Sequence, residues 1–524
     1  DNVMYNYEGG QAHSTRTTFL NIWNRTYERI YRMNYFLNYV DEKGTNIPED
    51  DVNRLKGEVY FLRAWAYYNL IQRYAGVPII TKAYDLTDTY DAKRDNFDDC
   101  VNFVLEDLDK ATKGRANKDI VLALRSRLTL VAASPLFNDP ARPEGGIFRG
   151  QYSADKWKRA LDATKRIIDR ADVDGSYRLD DTYDGVWKNT DSPELIWAKY
   201  FISSADASDN TMKKAQLLYS VVYFNGWTAF QPTQAMTLDY EMANGKKIFE
   251  DGSGYDVNHP FKGRDPRFYK SVASPFCNYP NTDNSGYHDN VLDLSLYYDN
   301  VKKSDFDEGK KEPSYSVKAK HLLDATSTMG LEMMKWYIPT SPITEAETGS
   351  VLYPWFRLAE MYLNYAECAY MTGNEALCRQ YINKVRSRSD VRMPEIKESG
   401  EALWDRLVNE RRVELAFEAI RYFDVRRWKT AQFYENVPFA GMRTMVLRNG
   451  SRNDTIYRVA HPYDESLTHT CYYWPNSDER KDYVKANTRD IFEEASKDSD
   501  GAVQVNGSCI KYRWLGKDYW VDYA

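Results

Sequence analysis

A chain of 524 residues with 43% hydrophobic and 28% charged residues has ample material for a core, and no long proline-, glycine- or serine-rich linker divides it. A net charge of −7 and a pI near 5.6 argue against a nucleic-acid backbone binder, which needs clustered, uncompensated lysine and arginine. The longest apolar run, over 128–137, is far shorter than the roughly 20 residues of a transmembrane helix.

In chain order, the first elements are helices in pairs. Leu20, Trp23, Tyr27, Ile30, Asn34 and Leu37 form one stripe at helical spacing, and Val59, Leu62, Ala66 and Leu70 a second, which Gly76 and Pro78 stop. Phe97, Val101, Val104, Leu108 and Ala111 mark a third helix. Leu124, Leu128 and Val131 mark a fourth that ends at Ser134-Pro135, and Trp157, Leu161, Thr164, Ile168 and Ala171 a fifth. Helices return with Phe356, Ala359, Leu363, Ala366 and Ala369, then over 377–388, then over 403–428. The spacing predicts a mainly α fold of one domain, 1–524, in which tetratricopeptide-like helix pairs at 14–172 and 353–430 form a scaffold, with long irregular loops and a few short strands on one face. A loop-rich insertion at 173–352 is the expected ligand-binding region. The segment 431–524 has no assigned role.

The stretch 403–428, LWDRLVNERRVELAFEAIRYFDVRRW, is read as one continuous helix. One face carries Trp404, Val408, Arg411, Leu415, Glu418 and Tyr422, and its neighbour Leu403, Leu407, Glu410, Glu414, Phe417 and Arg421, so charge sits where a core stripe should be apolar. An unpaired buried charge costs several kcal/mol or more. Arg411, Arg412, Glu414 and Glu418 are therefore read as an internal salt-bridge network rather than as acid/base machinery.

Six cysteines, at 100, 277, 368, 378, 471 and 509, include no CxxC pair and no cysteine–histidine cluster, so a structural zinc is not expected. Cys368 with Cys378, or Cys471 with Cys509, can close a disulfide in an oxidising compartment; the alternative is buried thiols. Six histidines form no HExxH, and GxSxG, GxxxxGK[ST] and GxGxxG are all missing. Two carboxylates suffice for glycoside hydrolysis, so a glycosidase stays open on motif grounds. No cofactor is expected, although the Asp and Asn cluster over 283–299 can hold an adventitious calcium ion.

The region 217–300 is rich in tyrosine, tryptophan, asparagine and glycine. A sugar ring has an apolar C–H face and a rim of hydroxyls, so its site wants flat aromatic rings beside amides that donate and accept. Tyr223 and Trp227 are the candidate stacking platforms, and Asn278 and the Tyr287 hydroxyl the candidate readers of hydroxyl orientation. Tyr84 and Tyr90, in the loop 82–96, form a candidate second wall; the alternative is that they cap the first helix pair.

Glu410, Arg411, Arg412, Glu414, Leu415, Phe417, Glu418, Arg421, Tyr422, Phe423, Asp424, Arg426, Arg427 and Trp428 resemble the C-terminal signature of the SusD/RagB family. Tyr60-Phe61-Leu62-Arg63-Ala64 leading to Tyr74-Ala75-Gly76-Val77-Pro78, Tyr240-Glu241-Met242, Arg264-Asp265-Pro266-Arg267, and Arg357-Leu358-Ala359-Glu360 with Tyr365-Ala366-Glu367 resemble its other motifs. The similarity spans about 21–428, with none found beyond Trp428. The resemblance implies a non-enzymatic, surface-exposed lipoprotein of the outer membrane that captures nutrient, usually an oligosaccharide, and delivers it to a SusC-like TonB-dependent transporter. Its lipid would sit on a cysteine preceding Asp1, and the loop 82–96 would carry ligand contacts. The RagB branch implies a peptide-capturing alternative.

Overall fold

A computed structural model describes residues 21–111, 118–201, 230–256, 259–279, 291–299, 314–315, 330–338, 351–431, 441–449, 452–461, 464–470, 502–504 and 511–513. Five long helices open the chain: α1 Trp23–Lys43, α2 Glu49–Tyr74, α3 Phe97–Lys110, α4 Lys118–Ala133 and α5 Asp155–Asp172. Each packs on the next in sequence, as the paired stripes predict. The α2 stripe is displaced from the expected one, with Phe61, Ala64, Tyr67, Leu70 and Ile71 in the core and Leu62 46% exposed. Arg63 explains the shift: its guanidinium is buried against Asp107 of α3, at 2.7 and 2.8 Å, and against Asn34 of α1, at 2.8 Å. That fork fixes the rotation of α2 and turns Leu62 outward.

After a short helix α6, Gly185–Lys188, strand β1, Leu195–Phe201, pairs antiparallel with β6, Val351–Arg357. Phe356 therefore lies in a strand and not in the expected helix, and its rings of contact are Trp65 and Trp197. Helix α9, Leu358–Met371, starts where the strand ends. Every residue from Leu358 to Ala369 is buried, the pattern of a helix surrounded on all sides. It packs on α4, α5, α10 (Glu375–Arg386) and α11 (Gly400–Glu414), so the two helical blocks share one core that runs from Ile30 to Leu415.

The stretch 403–428 is two helices. α11 stops at Glu414, the chain turns with Phe417 and Ala419 at φ 61 and 57, and α12 spans Arg421–Arg427. The break has a tertiary cause, since other side chains claim the last carbonyls. The Glu414 carbonyl accepts from Arg357 Nη2 at 2.8 Å and from the Tyr183 hydroxyl at 2.9 Å, and the Phe417 carbonyl accepts from Trp336 Nε1 at 3.3 Å.

The insertion supplies α7, Gln234–Leu238, α8, Pro266–Ser271, the short antiparallel pair β2, Val272–Ala273, with β5, Glu332–Met333, and strands β3, Ser295–Asp299, and β4, Ser314–Tyr315. The C-terminal segment joins it. β7, Gly441–Asn449, runs parallel to β3, and β8, Arg452–His461, and β9, Asp464–Thr470, complete a sheet of order β4-β3-β7-β8-β9. Two three-residue strands, β10, Ala502–Gln504, and β11, Lys511–Arg513, pair separately. Cys368 and Cys378 are free, buried thiols, which corrects that candidate disulfide: Cys368 packs with Leu130 and Trp157, whereas Cys378 packs in the main core. Cys471 and Cys509 lie outside the described residues. Among the described residues no helix is long and apolar enough to cross a membrane.

Candidate functional site

Two regions bring polar chemistry together, and the first is buried except at its Arg412–Asp239 edge. Glu414 Oε1 accepts from Arg357 Nη1 at 2.7 Å and Arg388 Nη2 at 3.0 Å, while Oε2 accepts from Arg267 Nη1 at 2.9 Å. Glu418 accepts from Arg357 at 2.8 and 2.9 Å and from Lys335 Nζ at 2.7 Å. Around this centre, Glu194 takes Arg357 and Arg388, Glu410 takes Arg267 and Arg386, and Arg386 continues to Glu241. Arg411 pairs with Asp424 at 2.9 Å and with the Asn364 amide oxygen at 2.8 Å, and Arg412 pairs with Asp239 at 2.5 Å. The four residues read from the sequence thus find their partners elsewhere in the chain and not in one another: Arg267 on α8, Arg357 on β6, Asp424 on α12, and Asp239, Lys335 and Arg388 in the segments that follow α7, β5 and α10. Burial opposes ionisation of Glu414, but Arg357, Arg388 and Arg267 outweigh it and hold its carboxyl well below the usual range. A carboxylate so held neither donates nor takes a proton near neutral pH.

The second region is an open pocket of about 310 Å³ at the edge of that lattice. The link is Lys335, whose ammonium donates to the Tyr183 hydroxyl at 2.8 Å and lies 4.8, 5.1 and 5.5 Å from the rings of Tyr183, Trp187 and Trp336. Burial pushes Lys335 down to about 8, against the pull of Glu418. Trp187 and Lys188 come from α6, and Tyr269 and Lys270 from α8. α8 is set by its own sequence, with Pro266 in the first turn and the Asp265 carboxylate accepting from Arg267 N at 2.9 Å. Asn278, Met334 and Tyr337 close the lining, with Tyr337 stacked on buried Tyr279 at 4.3 Å. Asp184 sits among the cations, 2.7 Å from Lys188 and 2.8 Å from Lys270. Burial raises its carboxyl, but the two ammonium groups prevail and hold it below its ordinary value. The pocket therefore offers the exposed ring of Tyr269, an exposed amide, and two lysines offset by Asp184 and by Asp390, which lies 3.8 Å from Lys270.

Of the candidate ligand residues, Asn278 lines this pocket. Tyr84 and Tyr90 form a separate edge-to-face pair, with centroids 5.3 Å apart and Tyr90 60% exposed, and neither lines it. Tyr223, Trp227 and Tyr287 lie outside the described residues, as does most of the acidic and amide cluster named for calcium. Among the described residues no group of three or more His, Cys, Asp or Glu is placed to hold a metal ion. Sequence reasoning missed Trp187-Lys188 and Tyr269-Lys270. The available signal was the repeated aromatic–lysine dipeptide, each on a short helix whose second polar face had no stripe to complete.

Known proteins resemble this chain in sequence and fold. The profile described as the SusD family matches residues 193–483. The chain belongs to the SusD family. A second profile, described as starch-binding associating with outer membrane, matches residues 2–133. The SusD-like protein P38 of Formosa agariphila is 22% identical over 421 residues, 78% of this chain and 72% of that relative. A SusD-like protein of Bacteroides fragilis NCTC 9343 shares the fold at a TM-score of 0.64 and 24% identity, covering 91% of this chain and 85% of its own. A SusD-like carbohydrate binding protein of the same strain does so at 0.63 and 21%, over 84% and 79%. The match to the SusD family reaches residue 483 and so corrects the limit set at Trp428.

Proposed function

We propose that this SusD-family protein captures glycan at the cell surface, as an outer-membrane lipoprotein anchored through an N-terminal lipid, and passes it to a SusC-like TonB-dependent transporter without transforming it. The observation that carries the reading is the pocket lining, in which the exposed ring of Tyr269 lies beside the exposed amide of Asn278 and beside Lys188 and Lys270, which are paired with Asp184 and, at 3.8 Å from Lys270, Asp390. Rings match the C–H face of a pyranose, and the amide and ammonium donors match its hydroxyl rim. Asp184 and Asp390 together offset the two lysines, which leaves no surplus that would demand a charged ligand. The family description as starch-binding and outer-membrane-associated, and the carbohydrate-binding neighbour, support the same class. An open, solvated pocket also suits cargo that must be released, since little of the ligand is desolvated and affinity stays modest.

The test is an array of oligosaccharides and extended peptides probed with this chain, followed by incubation of each hit and analysis for cleavage. The expected result is binding of at least one oligosaccharide without product. Binding confined to peptides would replace the glycan reading with peptide capture, and product release would replace capture with hydrolysis.

A further inference from the structure

The charges at the pocket form a closed set. Lys188 Nζ donates to one oxygen of Asp184 at 2.7 Å, and Lys270 Nζ donates to the other at 2.8 Å. A second carboxylate, Asp390, stands 3.8 Å from Lys270. It does not line the pocket, and its two oxygens accept from Tyr183 N at 3.1 and 3.0 Å, so its place is set by the backbone next to Asp184. The cations behind are matched elsewhere. Lys335, 5.1 Å from the Trp187 ring, pairs with Glu418, and Arg388, two residues before Asp390, pairs with Glu194 and Glu414. Two ammonium groups are thus left to two carboxylates, and the charges cancel.

Cancelled charge leaves the donors available. An ammonium has three N–H donors, and each lysine gives one of them to Asp184, so two on each remain for a ligand. The lysine side chains are also the more open members of the set, 40% and 37% exposed against 14% for Asp184 and 22% for Asp390. A sugar hydroxyl can accept from them without bringing charge. A uronate or a sulfate accepting from the same ammonium lies at most two hydrogen-bond lengths, about 6 Å, from an Asp184 oxygen. That is inside the roughly 8 Å screening length of physiological salt, so the two anions repel each other. Lysines alone would attract such a ligand.

We propose that Asp184 and Asp390 determine the specificity of the pocket: they cancel the charge of Lys188 and Lys270 while leaving N–H donors free, and so restrict the pocket to neutral glycans and exclude uronates and sulfated sugars. This rests on the glycan reading above and adds ligand charge as a determinant of binding. The test probes the parent, Asp184→Asn and Asp390→Asn on one array of neutral oligosaccharides, acidic oligosaccharides and peptides. Calorimetry of the neutral hit and of tetragalacturonate follows, at low and high salt. Asparagine keeps the shape of the carboxylate and one acceptor oxygen. Asp390→Asn, outside the lining, serves alone if unfolding curves show that Asp184→Asn is damaged. As a control, Asp109→Asn removes the same charge from an exposed position on α3. The expected result is a parent whose saccharide hits are neutral, and pocket variants that bind tetragalacturonate about fivefold more tightly than the parent, the scale of one partly screened charge, with the gain shrinking at high salt. Unchanged tetragalacturonate binding in both folded variants, with the neutral hit retained, overturns the proposal and leaves the glycan reading intact. So does a parent that binds acidic oligosaccharides as tightly as neutral ones. An equal gain in Asp109→Asn overturns it in favour of the net charge of the whole chain. A parent that binds no saccharide on the array overturns the glycan reading and the proposal with it.

Discussion

The lattice around Glu414 and the pocket around Asp184 are both dense in charge, and Tyr183, adjacent to Asp184 in sequence, touches the first through its hydroxyl at 2.9 Å from the Glu414 carbonyl. They differ in access to water. Arg267, Arg357, Arg388, Glu410 and Glu414 are each no more than 3% exposed, and their oxygens and guanidinium forks are matched to one another. Lys188, Lys270 and Asn278 face solvent, and the ring of Tyr269 beside them is 42% exposed. Where water is excluded, charge can only be structural, because any ligand would have to displace an arginine. Where water remains, the same residue types are free to exchange it for hydroxyl groups. Burial, more than composition, separates architecture from recognition here.

The largest expected effect breaks the buried side. Glu414→Ala leaves Arg267, Arg357 and Arg388 short of a partner, Glu418→Ala removes the carboxylate that pairs with Lys335, and Arg411→Ala leaves Asp424 with Arg427 alone and the Asn364 oxygen without its donor. Each should destabilise by about 3–5 kcal/mol in denaturant unfolding. Parent-like curves for these variants would make the lattice dispensable. Arg412→Ala should cost less than Arg411→Ala in the same assay, because the Arg412–Asp239 pair is only partly buried, at 12% and 16% side-chain exposure.

The next effect is on acid stability. Burial works against the charged forms of Glu194, Glu414 and Glu418, but their arginine and lysine partners hold all three carboxyls below their ordinary values. A carboxyl lowered on folding contributes stability that is complete above its unfolded value, about 4.3 for glutamate, and that is lost as pH falls through the folded one. Urea unfolding from neutral pH down to pH 2 should therefore show stability falling below roughly pH 4. Glu414→Gln should flatten that fall more than Asp184→Asn does. Equal slopes for the two variants would erase the contrast between the regions.

Much of the scaffold was legible because helix periodicity is local. The stripes of α1, α3, α4 and α5, and that of Ala359, Leu363, Ala366 and Ala369 in α9, follow from residues within a few turns, whereas the all-round burial of α9 comes from the helices packed around it. The missed features depend on partners far away in sequence. Phe356 is a strand residue because it pairs opposite Trp197. Leu62 faces out because Asp107 captures Arg63. The break after Glu414 needs Arg357, Tyr183 and Trp336 to take its carbonyls, and it places non-glycine Phe417 and Ala419 at positive φ, a choice that local propensity disfavours. In the site, Asn278 was legible as an amide in an aromatic-rich stretch. Trp187 and Tyr269 were not, since the short helices that carry them offer too few turns for a face to be recognised.

The smallest expected effect sharpens the open side. Asn278→Ala removes one exposed amide, so stability should stay within about 0.5 kcal/mol of the parent, while oligosaccharide affinity falls several-fold, in line with about 0.5–1.5 kcal/mol for one hydrogen bond.

The central claim, that the pocket recognises glycan while the lattice only supports it, meets its most direct test in isothermal titration of the array-selected oligosaccharide into the parent and into Tyr269→Ala. The account predicts a loss of roughly tenfold in affinity, about 1.4 kcal/mol, in a variant whose circular dichroism matches the parent. An unchanged Kd in that folded variant would contradict it, and would move the binding surface away from the pocket.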